Sequence, residues 1–284
     1  MSSSTSSDGR TASRRYDADF FSPTEIALIE DFEARGFVIV DVADTEALTR
    51  IREATANALV AATSAAKPDD VTAFLNDASD FVTPAQLNSI RLRIFHELNR
   101  HTWLRPAYYR LAKPALSTLV GNELAMQRRV NLSVQLPGDD SSLLPVHADV
   151  WSGDSPYELV VWLPLVNCHR TKSMYILPRD ANERHSARLA EYGELGSEEL
   201  FAAIEPDVEW IEIKVGQALV FTHTLMHGNR INRESETRWS MNCRFKSLLS
   251  PYDTKRLGEF FEPITTRATT RLGMSYEPPA GWDD

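Results

Sequence analysis

The stretch Val146-His147-Ala148-Asp149-Val150-Trp151 sets an imidazole and a carboxylate two positions apart in an apolar, β-type run. Side chains alternate faces along a strand, so both groups point to one side. They can take two adjacent positions on one metal ion and leave a third for a distant imidazole. That donor comes from a later block, Gly216-Gln217-Ala218-Leu219-Val220-Phe221-Thr222-His223-Thr224-Leu225-Met226-His227-Gly228-Asn229. His223 is the rival to His227. The residues before His223 read as strand, so a helical His pair is not indicated, and the spacing to Arg238 favours His227. Two His and one carboxylate on one face of an octahedron leave three positions open, the donor set associated with non-haem Fe(II) and O2 chemistry.

Arg238 and Ser240 follow on a further strand, two positions apart and therefore on one face. A guanidinium fork beside a hydroxyl matches the distal carboxylate of 2-oxoglutarate, because Arg binds carboxylate bidentately. The other end of that molecule, a 2-oxo acid, can chelate a metal. Two strands alternate strictly. In Arg129-Val130-Asn131-Leu132-Ser133-Val134-Gln135-Leu136 the odd positions are polar, and in Arg238-Trp239-Ser240-Met241-Asn242-Cys243-Arg244-Phe245 the even ones are. One reading is a solvated sheet face. The other turns Arg129, Asn131, Ser133 and Gln135 into a polar barrel mouth with Arg238, Ser240 and Asn242, and the metal-binding set favours it. Asn131 and Gln135 are then candidates for the co-substrate, with Arg238 and Ser240. Arg129, Trp151, Lys172, Asn229 and Asn242 are candidates for a polar substrate. Solvated surface or core is the competing reading for Lys172, Asn229 and Trp151. His96, His101, His169 and His185 have no partner spacing and read as structural or exposed.

The elements that must hold these residues fall into two halves. Ser22-Pro23-Thr24-Glu25 is a capping box with Pro at the first helical position, and Ile26, Ile29 and Phe32 give the helical face that Gly36 ends. A short strand at Phe37–Val40 follows, then helices near Thr45–Ala62, Ala85–Arg100 and Pro106–Val120, with a loop through Pro68-Asp69-Asp70. From Gln127 to Leu248 the pattern is short β-runs between turn residues: Arg129–Leu136, Val146–Trp151, Glu158–Val166, Ser173–Leu177, Val208–Val215, Gln217–Thr222 and Arg238–Leu248. One helical stretch, about Asn182 to Ile204, interrupts them. Residues 1–16 are Ser/Thr/Arg-rich and expected to be a disordered tail. Residues 17–284 are expected to form a single domain: a helical layer over about 22–120, a β core over about 127–248, and an extended tail over 250–284.

The formal charge of −10 argues against a polyanion-binding surface, so nucleic acid is not an expected partner. The two cysteines, Cys168 and Cys243, sit in apolar runs and exclude a disulfide framework. The longest uncharged apolar run, Ala54 to Ala66, is too short for a bilayer, and the Ser-rich start lacks a signal-peptide core. A soluble cytoplasmic protein without a membrane partner is expected.

The pattern His147-x-Asp149 … His227 … Arg238-x-Ser240 resembles that of the Fe(II)/2-oxoglutarate dioxygenases. The block Gly216-Gln-Ala-Leu-Val-Phe … His227-Gly-Asn … Asn232 … Arg238 is most similar to their phytanoyl-CoA dioxygenase-like branch, as is the opening Ser22-Pro-Thr-Glu … Gly36-Phe37. His147-Ala-Asp-Val-Trp-Ser-Gly-Asp-Ser-Pro-Tyr-Glu and Cys168-His-Arg-Thr-Lys-Ser-Met-Tyr-Ile-Leu-Pro178 resemble oxygenases of carbohydrate and aminoglycoside gene clusters. The resemblance spans about residues 22 to 248. It departs at Lys172-Ser173, where Asn-Gly is usual. It implies a double-stranded β-helix (a jelly-roll, cupin-like core, mainly β with α) buttressed by the N-terminal helices. It further implies Fe(II), 2-oxoglutarate and O2 as cofactors, Trp162 near the co-substrate, and a sugar, aminoglycoside or nucleotide-linked carbohydrate as substrate. Related halogenases carry a small residue in place of Asp149, so hydroxylation, desaturation, epimerisation or ring closure is the expected chemistry. The competing classes are an oxygenase of an acyl-thioester or amino-acid-derived metabolite, a metal-dependent hydrolase or lyase, and a non-catalytic binding protein.

Overall fold

A computed structural model describes residues 20–66, 69–192 and 196–281. The tail expected over residues 1–16 lies outside them. Helix α1 (Pro23–Arg35) begins as its capping box dictates: Glu25 N–H donates to Ser22 Oγ, and Ser22 N–H to the Glu25 carboxylate. Gly36 ends it at φ 77, a left-handed conformation that favours glycine, and sends the chain into β1 (Phe37–Asp41). Helix α2 (Thr45–Thr63) is capped by Asp44 and buries Leu48, Ile51, Ala58 and Leu59 along one side. Past the predicted loop, Asp70 caps a short helix α3 (Val71–Asn76) that the periodicity does not foretell. Helix α4 (Pro84–Arg100) buries Leu87, Ile90, Ile94 and Leu98 at helical spacing, each worth about 1.5–3 kcal/mol. The helix expected over Pro106–Val120 is two, α5 (Leu104–Leu111) and α6 (Lys113–Leu119), because Pro114 opens a new first turn.

The strands are β2 (Leu124–Gln127), β3 (Asn131–Gln135), β4 (Glu158–Pro164), β5 (Tyr175–Ile176), β6 (Glu209–Trp210), β7 (Gln217–Thr222), β8 (His227–Gly228), β9 (Arg238–Ser247) and β10 (Phe261–Pro263). Seven form one antiparallel sheet in the order β1-β7-β4-β9-β2-β10, with β3 also paired to β9. Strands β6, β5 and β8 form a second antiparallel sheet. Helices α7 (Arg179–Ser186), α8 (Leu189–Tyr192) and α9 (Ser197–Ile204) replace the single helical stretch expected there. The architecture is therefore antiparallel sheets with a large helical share. The tail is not merely extended: β10 pairs with β2, because Phe261 is apolar and fully buried, and α10 (Ala268–Met274) follows.

The apolar faces of the alternating strands pack inward, with Leu132 and Val134 of β3 and Trp239, Met241, Cys243 and Phe245 of β9 in one core with the helices. Two buried polar groups lock helices to that sheet. Trp239 donates its indole N–H to Leu75 O of α3 at 2.8 Å. The Tyr108 hydroxyl of α5 lies 2.9 Å from Val161 O and 3.1 Å from Met241 O, its one proton shared between β4 and β9. Tyr108→Phe is expected to destabilise by about 1–2 kcal/mol, the net loss of one buried hydrogen bond, read as a lower urea midpoint at unchanged slope. Both cysteines are buried and free, and no helix among the described residues is long and apolar enough to cross a membrane.

Candidate metal centre

Strand character expected over Val146–Trp151 survives only as a bridge. His147 N–H donates to His227 O at 3.1 Å and His227 N–H to His147 O at 2.9 Å. After Ala148 (φ −115°, ψ 136°) the chain turns into a 3-10 turn at Asp149–Ser152, closed by Gly153 at φ 82. Val150 N–H is drawn to His223 O instead of a strand neighbour. The one extended residue is enough to keep His147 and Asp149 on the same side. Strand β8, itself paired to β5, brings His227 to them.

The ligand atoms of His147, Asp149 and His227 all lie within 4.8 Å of one another, and the two rings are 4.3 Å apart. His147 Nδ1 sits 2.8 Å from Pro145 O and His227 Nδ1 2.9 Å from Leu225 O. Each Nδ1–H thus donates to a backbone carbonyl, which fixes the tautomer and leaves Nε2 as a lone-pair donor. Burial pushes His227 down to about 4, helped by His147, so the ring is neutral at neutral pH. Burial would raise Asp149, but His227, Arg244, His223 and His147 outweigh it and hold the carboxyl at about 2. Two imidazoles that each present Nε2 and one carboxylate fit a divalent cation.

A cavity of about 240 Å³ opens from this centre. Arg238, 3% exposed, stands in its wall and donates to Ser173 O at 3.0 Å and Ser133 Oγ at 3.2 Å. No carboxylate among the described residues pairs with Arg238, and burial pulls its guanidinium down to about 10. Arg238 Nε and Ser240 Oγ are buried without a hydrogen-bond partner. A buried guanidinium without a carboxylate of its own suits an incoming one, while Ser240, two residues further along β9, does not line the cavity.

Asn131, Asn229 and Asn242 share this wall with Trp162, Met174 and Phe221. Asn131 donates to Asn242 Oδ1 at 2.9 Å, while Asn229 ties down the loop over the cavity by accepting from Leu144 N–H and donating to Ser142 O. The other residues singled out lie outside the wall. Gln135, opposite Arg238 in register, donates to Arg230 O. Arg129 is exposed ahead of β3, and Trp151 is 46% exposed in the 3-10 turn. Lys172 is fully buried by an ion pair with Glu236 and a hydrogen bond to Asn76. His223 is also fully buried, facing away from the cavity toward Asp154 and Glu158. Arg244, in the wall and bonded to Asp149, is the residue the sequence reading passed over. The alternation that puts Arg238, Ser240 and Asn242 on one face of β9 puts it there too.

Two checks arise here. Burial holds His223 at about 3 despite Asp149, and His227 at about 4, whereas unfolded imidazoles titrate near ~6.5. Below that pH the unfolded chain binds protons that the fold refuses. Metal-free protein should therefore lose stability as pH falls from about 6.5 toward 4, measured as a urea midpoint lower at pH 5 than at pH 7.5. At Gly228 a Cβ would stand 2.5 Å from Tyr175 Oη and 2.7 Å from Leu144 O, a backbone atom that cannot swing aside. Gly228→Ala is expected to cost about 1–3 kcal/mol and to weaken metal binding by displacing its neighbour His227.

No protein-family model matches the chain, and no curated protein does. Solved structures do. AviO1 from Streptomyces viridochromogenes aligns at 15% identity over 82% of this chain and 99% of that one, with a TM-score of 0.52. EctD from S. alaskensis with 2-oxoglutarate and 5-hydroxyectoine aligns at 17% over 88% and 81%, also with a TM-score of 0.52. The apo form of ThoJ, a non-heme monooxygenase, aligns at 17% over 79% of each chain with a TM-score of 0.50. The chain shares its fold with these three proteins.

Proposed function

We propose that the protein is an Fe(II)- and 2-oxoglutarate-dependent dioxygenase of the phytanoyl-CoA dioxygenase-like type. Its substrate would be a small polar molecule: a sugar, aminoglycoside or nucleotide-linked carbohydrate oxidised at a C–H bond. One observation carries this reading. A single cavity has His147, Asp149 and His227 at one end and, in its wall, the buried Arg238 fork with no carboxylate of its own. A hydrolase or lyase needs the first set but has no use for the second. On this reading the two antiparallel sheets form a double-stranded β-helix, and residues 17–284 act as one domain in the cytoplasm.

His147, Asp149 and His227 would hold the iron, which when bound supplies O2 activation and C–H cleavage. Arg238 and Ser240 would hold the distal carboxylate of 2-oxoglutarate. The backbone carbonyls behind His147 and His227 keep both Nε2 lone pairs aimed inward. Trp162, Met174 and Phe221 keep water from the reacting end, and the Asn131–Asn242 amide pair offers hydrogen bonds to substrate hydroxyls. Asp149 would take the position that related halogenases leave to a halide, which favours hydroxylation, desaturation, epimerisation or ring closure.

The test is an anaerobic titration with Fe(II) and 2-oxoglutarate, where a visible charge-transfer band marks joint binding. Succinate release with polar metabolites then reads the substrate class. Stimulation by acyl-thioesters or amino acids alone would move the substrate. Activity that survives Arg238→Ala would move the protein to the hydrolases, and retention of neither ligand would leave a binding protein.

A further inference from the structure

Behind Asp149 lies a set of charges of which Arg244 alone also reaches the cavity wall. Arg244 Nη2 donates to Asp149 Oδ1 at 2.9 Å, and its Nε lies 3.0 Å from Asp154 Oδ1. Asp154, fully buried, accepts at its other oxygen from Lys255 Nζ. The result is a row of alternating charge, Asp149, Arg244, Asp154, Lys255, running from the metal ligand to the segment after β9. That segment is fastened by Thr254 Oγ1 to Gly153 O at 3.1 Å and by Ser155 Oγ to Pro251 O at 2.8 Å.

Asp154 and Glu158 also meet His223, and these three could themselves ligate a cation. The charges argue against that use. Arg244, Lys246 and Lys255 already stand against the carboxylates of Asp149, Asp154 and Glu158, and burial pushes Glu158 toward its neutral form. A further cation would have no uncompensated charge to meet.

We propose that Lys255 is a positioning residue that, through Asp154 and Arg244, fixes the Asp149 carboxylate for the metal; this rests on the metal centre read above. The reason is competition for Arg244. While Lys255 neutralises Asp154, Arg244 is shared between two carboxylates and holds Asp149 by one oxygen. Without Lys255 the buried Asp154 charge has Arg244 as its remaining cation and draws it away. Asp149 then loses the contact that sets the plane of its carboxylate. A partner beside a metal ligand is worth about 10–100-fold in metal affinity, so Arg244→Ala should fall in that range and Lys255→Met near its lower end.

The experiment titrates the full chain with Co(II), reading the dissociation constant and the visible ligand-field spectrum. Wild type should bind one Co(II). Lys255→Met should bind about tenfold more weakly with an altered spectrum, and Lys255→Arg should restore both. Asp154→Asn and Asp154→Asn/Lys255→Met should match each other, since Lys255 acts only through Asp154; this pair also removes the stranded charge should Lys255→Met fold poorly. A Lys255→Met protein with wild-type affinity and spectrum overturns the proposal, as does a folded Lys255→Arg protein that behaves like Lys255→Met. Wild type that binds no Co(II) instead refutes the metal centre itself.

Discussion

Asp149→Ala and His227→Ala should each lose metal binding by more than about 10³-fold, a change of about 4 kcal/mol, and with it all succinate formation. His223→Asn should lose only about 10–100-fold, the range for a neighbour of a ligand. The contrast decides which histidine is the third donor. His227 is held by Nδ1 to Leu225 O, lies with its ring tilted against that of His147 and lines the cavity. His223 has both ring nitrogens buried without a hydrogen-bond partner and faces Asp149 from behind, 3.8 Å from its Oδ2. Isothermal titration with Ni(II) on the apo proteins reads the difference directly. Equal losses at positions 223 and 227, or metal binding that survives Asp149→Ala, would dissolve the centre as drawn. Thermal melts of the metal-free variants separate this from misfolding, because neither Asp149 nor His227 packs a large apolar side chain.

What could be read in advance was whatever the chemistry constrains by residue type. That His147, Asp149 and His227 would converge, with Arg238 in the same cavity, was legible because few residue types can bind a metal or a carboxylate, and their order along the chain restricts the rest. The faces of β3 and β9 were legible from alternation, and Asn131, Ser133 and Asn242 do stand in the cavity wall. Long-range partners were not legible. Lys172 reads as a surface cation until Glu236 and Asn76 arrive from distant segments to bury it. Gln135 shares the face of Asn131 but is one turn of the ladder too far along, where the carbonyl of Arg230 claims it. Strand length also misled: Val146–Trp151 has a strand's composition, yet beyond His147 there is no partner, and an unpartnered run turns. The tail over 250–284 was read as extended, but Phe261 packs with Ala125 of β2 and makes a strand of its neighbours.

Replacing Arg238 by Leu should weaken 2-oxoglutarate binding by at least about 100-fold, near 2.7 kcal/mol, without destabilising the ligand-free protein. A guanidinium removed from water with no carboxylate beside it costs the fold several kcal/mol by desolvation, and only Ser173 O and Ser133 Oγ offset that. A leucine, shorter but apolar, removes the penalty along with the charge. On the proposed function the dicarboxylate would supply the counter-ion, so the same substitution that spares the ligand-free protein a desolvation cost would remove the reason for the ligand to bind. In the Ni(II)-loaded protein, 2-oxoglutarate at 100 times its dissociation constant should stabilise wild type by about 2.7 kcal/mol, seen as a higher melting temperature. Arg238→Leu should melt at or above ligand-free wild type and not respond to the oxo acid. Arg238→Lys should fall between them, since an ammonium keeps the charge but not the planar fork. A large drop in the melting temperature of ligand-free Arg238→Leu, together with an undiminished response to 2-oxoglutarate, would mean that the guanidinium is a structural strut and that the acid binds elsewhere.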